Sequence, residues 1–155
     1  LFTYLISPYS PLDTVSRTSS KGHGLGLVYY AISWTILAFF FFKNLEVIAV
    51  GIAAMSYGDG FASLIGIKYG KKEYNIFGDK KSIEGSIAMY LATILIIALS
   101  LIYYSSVPSN FLIVLPVVVL SATVTEGITP KGLDNLTVSL VSAFCYFTLV
   151  YIISI

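Results

Sequence analysis

Five stretches of the chain are long and apolar enough to cross a membrane as helices, and this pattern constrains the fold more than any other feature. A bilayer core of about 30 Å takes about 20 apolar residues in helical conformation. The stretches cover about residues 25–42, 45–67, 82–104, 110–125 and 136–155. Only 11% of residues are charged, whereas a soluble domain carries about a quarter. We therefore expect an all-α integral membrane protein, a polytopic bundle of about five transmembrane helices.

The two ends of the chain and its rare residue types add further limits. We expect residues 1–155 to form one membrane-embedded domain that lacks earlier spans of a longer protein, because the chain opens at Leu1 with an apolar stretch. No basic region precedes that stretch, so no cleavable signal peptide is recognisable. Cys145 is the only cysteine and excludes an internal disulfide. His23, the only histidine, is expected to be an interfacial polar residue, since a zinc pair needs a second one.

The charged residues collect on one side of the membrane when five spans alternate in direction. Only Lys43 among the nine basic residues and Glu46 among the eight acidic residues fall on the opposite side. The positive-inside rule makes the charged side cytoplasmic, but it does not explain the acidic residues. Acids gathered beside bases indicate a site that handles both cations and anions. The net charge of +1 gives no sign of a nucleic-acid partner, and none is expected. The basic residues on this side are Arg17, Lys21, Lys68, Lys71, Lys72, Lys80, Lys81 and Lys131.

Asp59 interrupts the second apolar stretch. A carboxylate buried in a membrane costs at least about 2.5 kcal/mol and is kept mainly where it faces a bundle interior, water, a cation or a substrate. Asp59 is therefore the first candidate for a chemical role. Ala62, Gly66 and Gly70 recur every four residues on nearly the same helical face, and such small residues let another backbone approach closely.

The lysine-rich loop over residues 68–81 leads directly into a predicted helix that starts near Ser82. Backbone donors and the positive end of the helix dipole bind phosphate readily beside such lysines. We therefore expect Lys80 and Lys81 to contact phosphate, while the earlier lysines of the loop set the topology or touch anionic lipid. The loop has no Walker A spacing, so any nucleotide must be held in another way.

A third polar cluster lies between the last two spans. Asp134 or Asn135 would serve as a helix cap, and Glu126 would close a capping box with Thr123. The same carboxylate and amide oxygens are also the ligands that Mg²⁺ uses when it bridges to phosphates. Both interpretations remain open at this point.

These three clusters, in this order, resemble the CTP-dependent lipid-alcohol kinases, namely dolichol kinase, phytol kinase and the CTP-using diacylglycerol kinase. The resemblance covers most of residues 17–142. A more distant resemblance links the chain to the phosphatidate cytidylyltransferases, but the Ser-Pro and the C-terminal signature typical of those enzymes are missing here. The matching segments are Lys21 to Tyr30, Gly58-Asp-Gly-Phe-Ala-Ser-Leu-Ile-Gly-Ile-Lys-Tyr-Gly70, Lys80-Lys-Ser-Ile-Glu-Gly-Ser86, and Glu126 followed by Leu133-Asp-Asn-Leu-Thr-Val138.

The resemblance implies an enzyme that moves the γ-phosphoryl group of CTP to a polyprenol, phytol or dolichol-type alcohol at the cytoplasmic face of the cell membrane or endoplasmic reticulum. It implies Mg²⁺ as cofactor, CTP, lipid alcohol and bilayer as partners, and it allows a homo-oligomer. The lipid would enter sideways between spans. The implied residues are Asp59, Glu126 and Glu84 for catalysis, with Glu84 orienting the lysines; Lys80, Lys81, Ser82, Gly66 and Gly70 for the CTP phosphates; and Asp59, Glu126, Asp134 and Asn135 for the metal.

Two alternatives to this function remain. A cytidylyltransferase would let a lipid phosphate attack the α-phosphorus of CTP, which gives a CDP-lipid and releases pyrophosphate. A transporter or channel subunit would use Asp59 as an ion or proton site, and it would require charge on both sides of its pathway. Lys43 and Glu46 are all that the opposite side offers.

Overall fold

The computed structural model describes residues 25–130 and 132–153. Four residues for which the sequence makes predictions lie outside these residues, namely Arg17, Lys21, His23 and Lys131. The described elements, in chain order, are α1 (Gly26–Phe41), α2 (Leu45–Ala53), a π-helical segment (Ala54–Asp59), α3 (Gly60–Tyr69), β1 (Glu73–Ile76), β2 (Asp79–Ser82), α4 (Ile83–Tyr103), α5 (Phe111–Ile128), α6 (Asp134–Phe147) and a second π-helical segment (Thr148–Ile152).

The expected bundle of five apolar helical stretches is confirmed over the described residues. Four of them are long and apolar enough to cross a membrane, namely Leu45–Tyr69, Ile83–Tyr103, Phe111–Ile128 and Asp134–Ile152. The first, α1, has only 16 residues, which corresponds to about 24 Å of helix and is shorter than a typical bilayer core.

Apolar side chains cover both the inside and the outside of this bundle. Helix α6 packs against α1, α2 and α5, and α4 packs against α2, α3 and α5. Leu37, Val50 and Val118 are fully buried between these helices, whereas Phe39 and Leu112 are 76% and 85% exposed on the outer surface. A soluble protein rarely exposes so much contiguous apolar surface. The outer surface is therefore suited to contact with lipid hydrocarbon.

The second membrane helix is not a regular α-helix throughout. Residues Ala54–Asp59 form a π-helical segment between α2 and α3, and such segments often occur at functional sites. A Cβ added at Gly58 would lie 2.2 Å from Thr93 Oγ1 on α4. Only glycine therefore allows the π-helical segment to come this close to α4. The segment ends at Asp59 and brings this carboxylate to the border of a polar pocket.

An antiparallel β-hairpin follows α3, and the all-helical prediction did not include it. β1 pairs with β2 in the register Glu73 with Ser82 and Tyr74 with Lys81. Phe77 and Gly78 connect the strands with positive φ angles of 48° and 94°, as the tight turns that match strand twist require. The hairpin replaces the irregular lysine-rich loop and gives each of its side chains a defined direction.

Candidate functional site

Three carboxylates converge at the end of the bundle that carries the hairpin. Asp59 ends the π-helical segment, Glu126 lies in the last turn of α5, and Asp134 is the first residue of α6. One oxygen from each of these carboxylates lies within 4.8 Å of the others. Glu126 and Asp134 are buried, and Asp59 is half-buried. Three segments far apart in the sequence thus bring together the carboxylates that the sequence singled out.

The Lys81 ammonium lies among these acids. Its Nζ is 2.7 Å from Glu126 Oε1 and 3.7 Å from Asp134 Oδ2, and it also donates to the main-chain carbonyl of Glu126. The Lys81 side chain is only 8% exposed. A buried charge persists only where opposite charges and hydrogen bonds offset its lost hydration, and Lys81 has both.

Asp134 uses its two carboxylate oxygens differently. Oδ1 accepts hydrogen bonds from the Gly132 and Asn135 amides at 2.9 and 3.0 Å, while Oδ2 is the oxygen nearest Lys81. Among the described residues no side chain caps the start of α6, whose N-cap residue is Leu133, so the structure does not support the helix cap, one of the two interpretations left open for Asp134 and Asn135. One Asp134 oxygen fixes the loop, and the other faces the cluster.

Two further contacts correct the sequence-based picture of this loop. Glu126 lies in the last turn of α5, and Thr123 Oγ1 donates to the Val119 carbonyl at 2.9 Å. The predicted capping box, which belongs to the first turn of a helix, therefore does not form. Asn135 Nδ2 donates to the Gly26 carbonyl at 3.1 Å, which ties α6 to the start of α1 and orients the amide group.

Lys80 and Lys81, which were expected to act alike, point to opposite faces of the hairpin. Successive side chains of a strand alternate in direction, so only one of two adjacent lysines can face the bundle. Lys80 is 73% exposed and pairs with Glu73 at 3.3 Å. Both lysines line the same pocket, with Lys81 at its buried end and Lys80 at its rim.

The start of α4 is packed closely against α3. A Cβ at Gly70 would lie 2.8 Å from Ser82 Oγ, and one at Gly66 would lie 3.1 Å from the same atom. Gly66 and Gly70 therefore serve the close helix packing that their spacing indicated, and both also line the pocket. Ser82 Oγ accepts from the Gly85 amide at 3.2 Å and caps α4.

The first amides of α4 already have partners inside the protein. The Ile83 amide donates to the Lys72 carbonyl at 3.0 Å, and the Gly85 amide donates to Ser82 Oγ. These two amides are not available for phosphate in this arrangement. Any phosphate bound beside Ser82 would depend mainly on the lysine side chains.

Glu84 has different partners from those expected. Its Oε2 accepts hydrogen bonds from the Lys71 and Lys72 amides at 3.1 and 3.2 Å. These contacts fasten the segment that enters β1, and Glu84 is not among the residues that line the pocket. The expected role of orienting Lys80 and Lys81 has no contact in its support among the described residues.

The three carboxylates, Lys80 and Lys81 line one pocket of about 290 Å³. Its walls are polar near the three carboxylates and contain small residues of α3 and α4 on the other side. All of the expected site residues except Glu84 line this pocket. The lining residues are Asp59, Ala62, Ser63, Gly66, Ile67, Gly70, Glu73, Asp79, Lys80, Lys81, Ser82, Gly85, Ser86, Glu126, Asp134 and Asn135.

The donor set of this pocket fits a hard divalent cation. Mg²⁺ prefers carboxylate and carbonyl oxygens and keeps several waters, and the pocket offers three carboxylates beside the Asn135 amide. The Lys81 ammonium between Glu126 and Asp134 indicates that the cluster attracts positive charge. Asp59, Glu126, Asp134 and Asn135 are thus the residues that could hold the ion.

Tyr74 is a residue of this region that the sequence did not indicate. It lies on β1 opposite Lys81, and its hydroxyl is 3.0 Å from Ser86 Oγ on α4. Recognising it requires the strand register. The only available signal was the Phe77-Gly78 turn that sets this register.

The chain is similar to several plant and cyanobacterial kinases. It is 34% identical to a phytol kinase of Synechocystis over 92% of this chain and 60% of that protein. It is 33% identical to a probable chloroplastic phytol kinase of Triticum aestivum over 96% of this chain and 53% of that protein. A chloroplastic farnesol kinase of Arabidopsis thaliana is 28% identical over 89% of this chain and 47% of that protein.

Other comparisons add nothing to these similarities. No family model matches the chain, and no solved structure matches it. The chain spans about half to three-fifths of the length of these relatives.

Proposed function

We propose that the chain phosphorylates a long-chain isoprenoid alcohol, because over the region that it shares with them it belongs to the lipid-alcohol kinase family of the phytol and farnesol kinases. The donor in this proposal is CTP, so that CTP and the alcohol give CDP and a lipid phosphate. Phytol, farnesol and longer polyprenols such as dolichol are the acceptors to compare. The carboxylate cluster of Asp59, Glu126 and Asp134 around Lys81 is the observation that carries this proposal.

Phosphoryl transfer relies on positioning and on charge neutralisation rather than on covalent chemistry by the protein. In this proposal Asp59, Glu126, Asp134 and Asn135 hold Mg²⁺, which supplies positive charge to the donor phosphates. The side chains fix the position of these charges. Carboxylates on three different elements would hold that position more rigidly than a single loop.

Lys81 changes partners in the proposed cycle. Its ammonium pairs with Glu126 and Asp134 in the structure. The triphosphate would draw it from the carboxylates, so that they become available to the cation while Lys81 neutralises phosphate charge. Lys80 at the rim would contact the outer part of the triphosphate. Ser82, Gly66 and Gly70 form the wall beside it.

Asp59 and Glu126 are the candidates for taking the proton of the alcohol. Both line the pocket, and a base must come within hydrogen-bonding distance of the hydroxyl that it deprotonates. Asp59 is half-buried and ends the π-helical segment of the second membrane helix, and Glu126 lies in the last turn of α5. Glu84 would support catalysis only indirectly, through the segment that enters β1.

We infer that the pocket faces the cytoplasm, in the cell membrane or the endoplasmic reticulum. The positive-inside rule supports this orientation, because Lys43 is the only one of the nine basic residues that falls on the opposite side. The plant relatives named above are chloroplastic kinases, and a plastid membrane is the alternative that localisation of the tagged protein would reveal.

Product analysis tests the proposed function. Purified protein with Mg²⁺ is incubated with phytol, farnesol, dolichol or phosphatidate and with CTP labelled at either the α- or the γ-phosphorus; ATP serves as the competing donor. The proposal predicts γ-label in the product of an alcohol and release of CDP. Transfer of α-label to phosphatidate, with release of pyrophosphate and formation of a CDP-lipid, would instead identify a cytidylyltransferase. Absence of the γ-labelled product with every alcohol would refute the kinase assignment.

A further inference from the structure

An apolar groove lies on the outer surface beside the polar pocket. It has a volume of about 430 Å³ and lies where the hairpin, α4 and α5 meet. Ile83, Ile87 and Leu91 form one wall, spaced four residues apart along one face of α4, and they are 47%, 55% and 61% exposed. The groove is therefore open toward the surface that we assign to lipid hydrocarbon.

The groove and the polar pocket share a wall at Ser86. This residue lines both of them, and its Oγ is 3.0 Å from the Tyr74 hydroxyl. Tyr74 also lines the groove. A Cβ on Gly127, the residue after Glu126, would lie only 3.2 Å from the Tyr74 hydroxyl. Tyr74 and Ser86 thus place two hydroxyl groups between the apolar groove and the carboxylates.

This arrangement matches a ligand with one hydroxyl and a long hydrocarbon tail. The apolar walls offer nothing to a charged or strongly polar molecule. Hydroxyl groups both donate and accept hydrogen bonds, so the Tyr74 and Ser86 pair can exchange its mutual hydrogen bond for bonds to an alcohol. A phospholipid of the bilayer has a bulky charged headgroup, which these two hydroxyls do not neutralise.

We propose that this groove binds the first isoprene units of the alcohol substrate and that Tyr74 and Ser86 position its hydroxyl toward Asp59 and Glu126. The inference rests on the proposed kinase function and adds the route and the binding residues. The wall from Ile83 to Leu91 covers about 12 Å of helix, so a longer tail extends into the bilayer. Specificity then depends on the structure of the units nearest the hydroxyl, while total tail length matters little.

Filling the groove tests its role. Leu91→Trp narrows it, and Leu64→Trp is the matched control, because Leu64 is similarly exposed at 66% on α3 and lines neither cavity. The KM for the alcohol should rise roughly tenfold or more in Leu91→Trp, in line with the effect of small steric changes in apolar pockets, with the KM for CTP unchanged. Leu64→Trp should behave as wild type. A larger effect of Leu64→Trp would put the route on α3 and refute the proposal.

Removing the two hydroxyls tests the positioning role separately. Tyr74→Phe keeps the ring and Ser86→Ala keeps the helix, so both variants should fold. Each should raise the KM for the alcohol severalfold more than the KM for CTP. Equal effects on both KM values, or a fall in kcat alone with unchanged KM, would contradict a role in receiving the alcohol.

Photo-crosslinking gives a result that does not depend on turnover. An isoprenoid alcohol with a diazirine in its first units is irradiated with the protein in lipid vesicles, and the labelled peptides are identified. The proposal predicts labelling within residues 83–91 that excess unlabelled farnesol suppresses and that Leu91→Trp weakens. Labelling confined to other segments would place the alcohol elsewhere, and labelling within residues 83–91 that farnesol does not suppress would identify the groove as a surface for bulk lipid. Either result would refute the proposal, even if no kinase product is found.

Discussion

At the scale of single residues, a substitution at Asp59 distinguishes a chemical role of this carboxylate from a structural one. We predict that Asp59→Asn lowers kcat by roughly a hundredfold or more, because the amide keeps the shape and loses the charge. The thermal stability in detergent should hold or rise, since a charge in a membrane helix is costly. Turnover at saturating Mg²⁺ and thermal unfolding are the two measurements. Asp79→Asn is the control, because Asp79 lines the pocket outside the carboxylate cluster. Wild-type turnover in Asp59→Asn would end the assignment.

Lys81 and Lys80 form a natural pair for comparison. Lys81→Met leaves Glu126 and Asp134 without the ammonium between them, and removing one partner of a buried ion pair costs about 3 kcal/mol or more. We predict lower stability without metal, recovery when Mn²⁺ is added, and tighter Mn²⁺ binding in the absence of nucleotide, measured by electron paramagnetic resonance. Lys80→Met should change none of these, because Lys80 is exposed. Weaker Mn²⁺ binding in Lys81→Met would contradict the proposed exchange of partners.

A substitution at Asp134 can test the oxygen that fixes the loop separately from the oxygen that we propose binds the metal. Asp134→Asn retains a carbonyl oxygen that accepts from the Gly132 and Asn135 amides, as Oδ1 does, but it removes the negative charge. We predict a well-folded protein that loses most activity and recovers part of it at high Mg²⁺. Full activity at ordinary Mg²⁺ would mean that Asp134 only fixes the loop.

At the scale of elements, the π-helical segment of the second membrane helix depends on a close approach to α4 at Gly58. Gly58→Ala should destabilise the protein, because the added Cβ would lie 2.2 Å from Thr93 Oγ1. Gly60→Ala is the control, since no atom of the described residues lies within 4 Å of its added Cβ, and it should be neutral or stabilising by up to about 1 kcal/mol. Thermal unfolding of both variants measures the difference.

A second variant tests whether the loss of stability in Gly58→Ala comes from the contact with α4. Thr93 Oγ1 is buried and has no hydrogen-bond partner among the described residues, so Thr93→Ala removes the obstructing atom at little cost. The double variant Gly58→Ala with Thr93→Ala should regain most of the stability. Failure to regain it would show that alanine at Gly58 disturbs the helix itself.

The helical elements and the hairpin differ in how far the sequence predicted them. Apolar length alone located all five helical stretches, because membrane helices need long apolar runs. The hairpin has strands of only four residues, and Asp79–Ser82 contains no β-branched residue. Its register, set by the Phe77-Gly78 turn, decides which lysine is buried. The sequence therefore identified Lys80 and Lys81 together and could not distinguish them.

At the scale of the whole molecule, the carboxylates and the segments that form the pocket lie at the same end of the bundle. The π-helical segment, the hairpin and the α5–α6 loop all meet at the end that carries the carboxylates. Asp59, Glu126 and Asp134 were identified from the sequence because charges in an apolar chain are rare. Their mutual distances, the partners of Glu84 and the position of Tyr74 depend on packing between distant segments, which no local pattern contains.

The central claim is that Asp59, Glu126 and Asp134 hold the metal of the reaction, and metal-directed backbone cleavage tests it most directly. Fe²⁺ replaces Mg²⁺ in the presence of CTP, and ascorbate with peroxide then cuts the chain next to the bound ion. The account predicts cuts close to residues 59, 126 and 134, suppressed by excess Mg²⁺ and absent in Asp59→Asn. Cuts confined to other segments, or cuts that Mg²⁺ does not suppress, would contradict it.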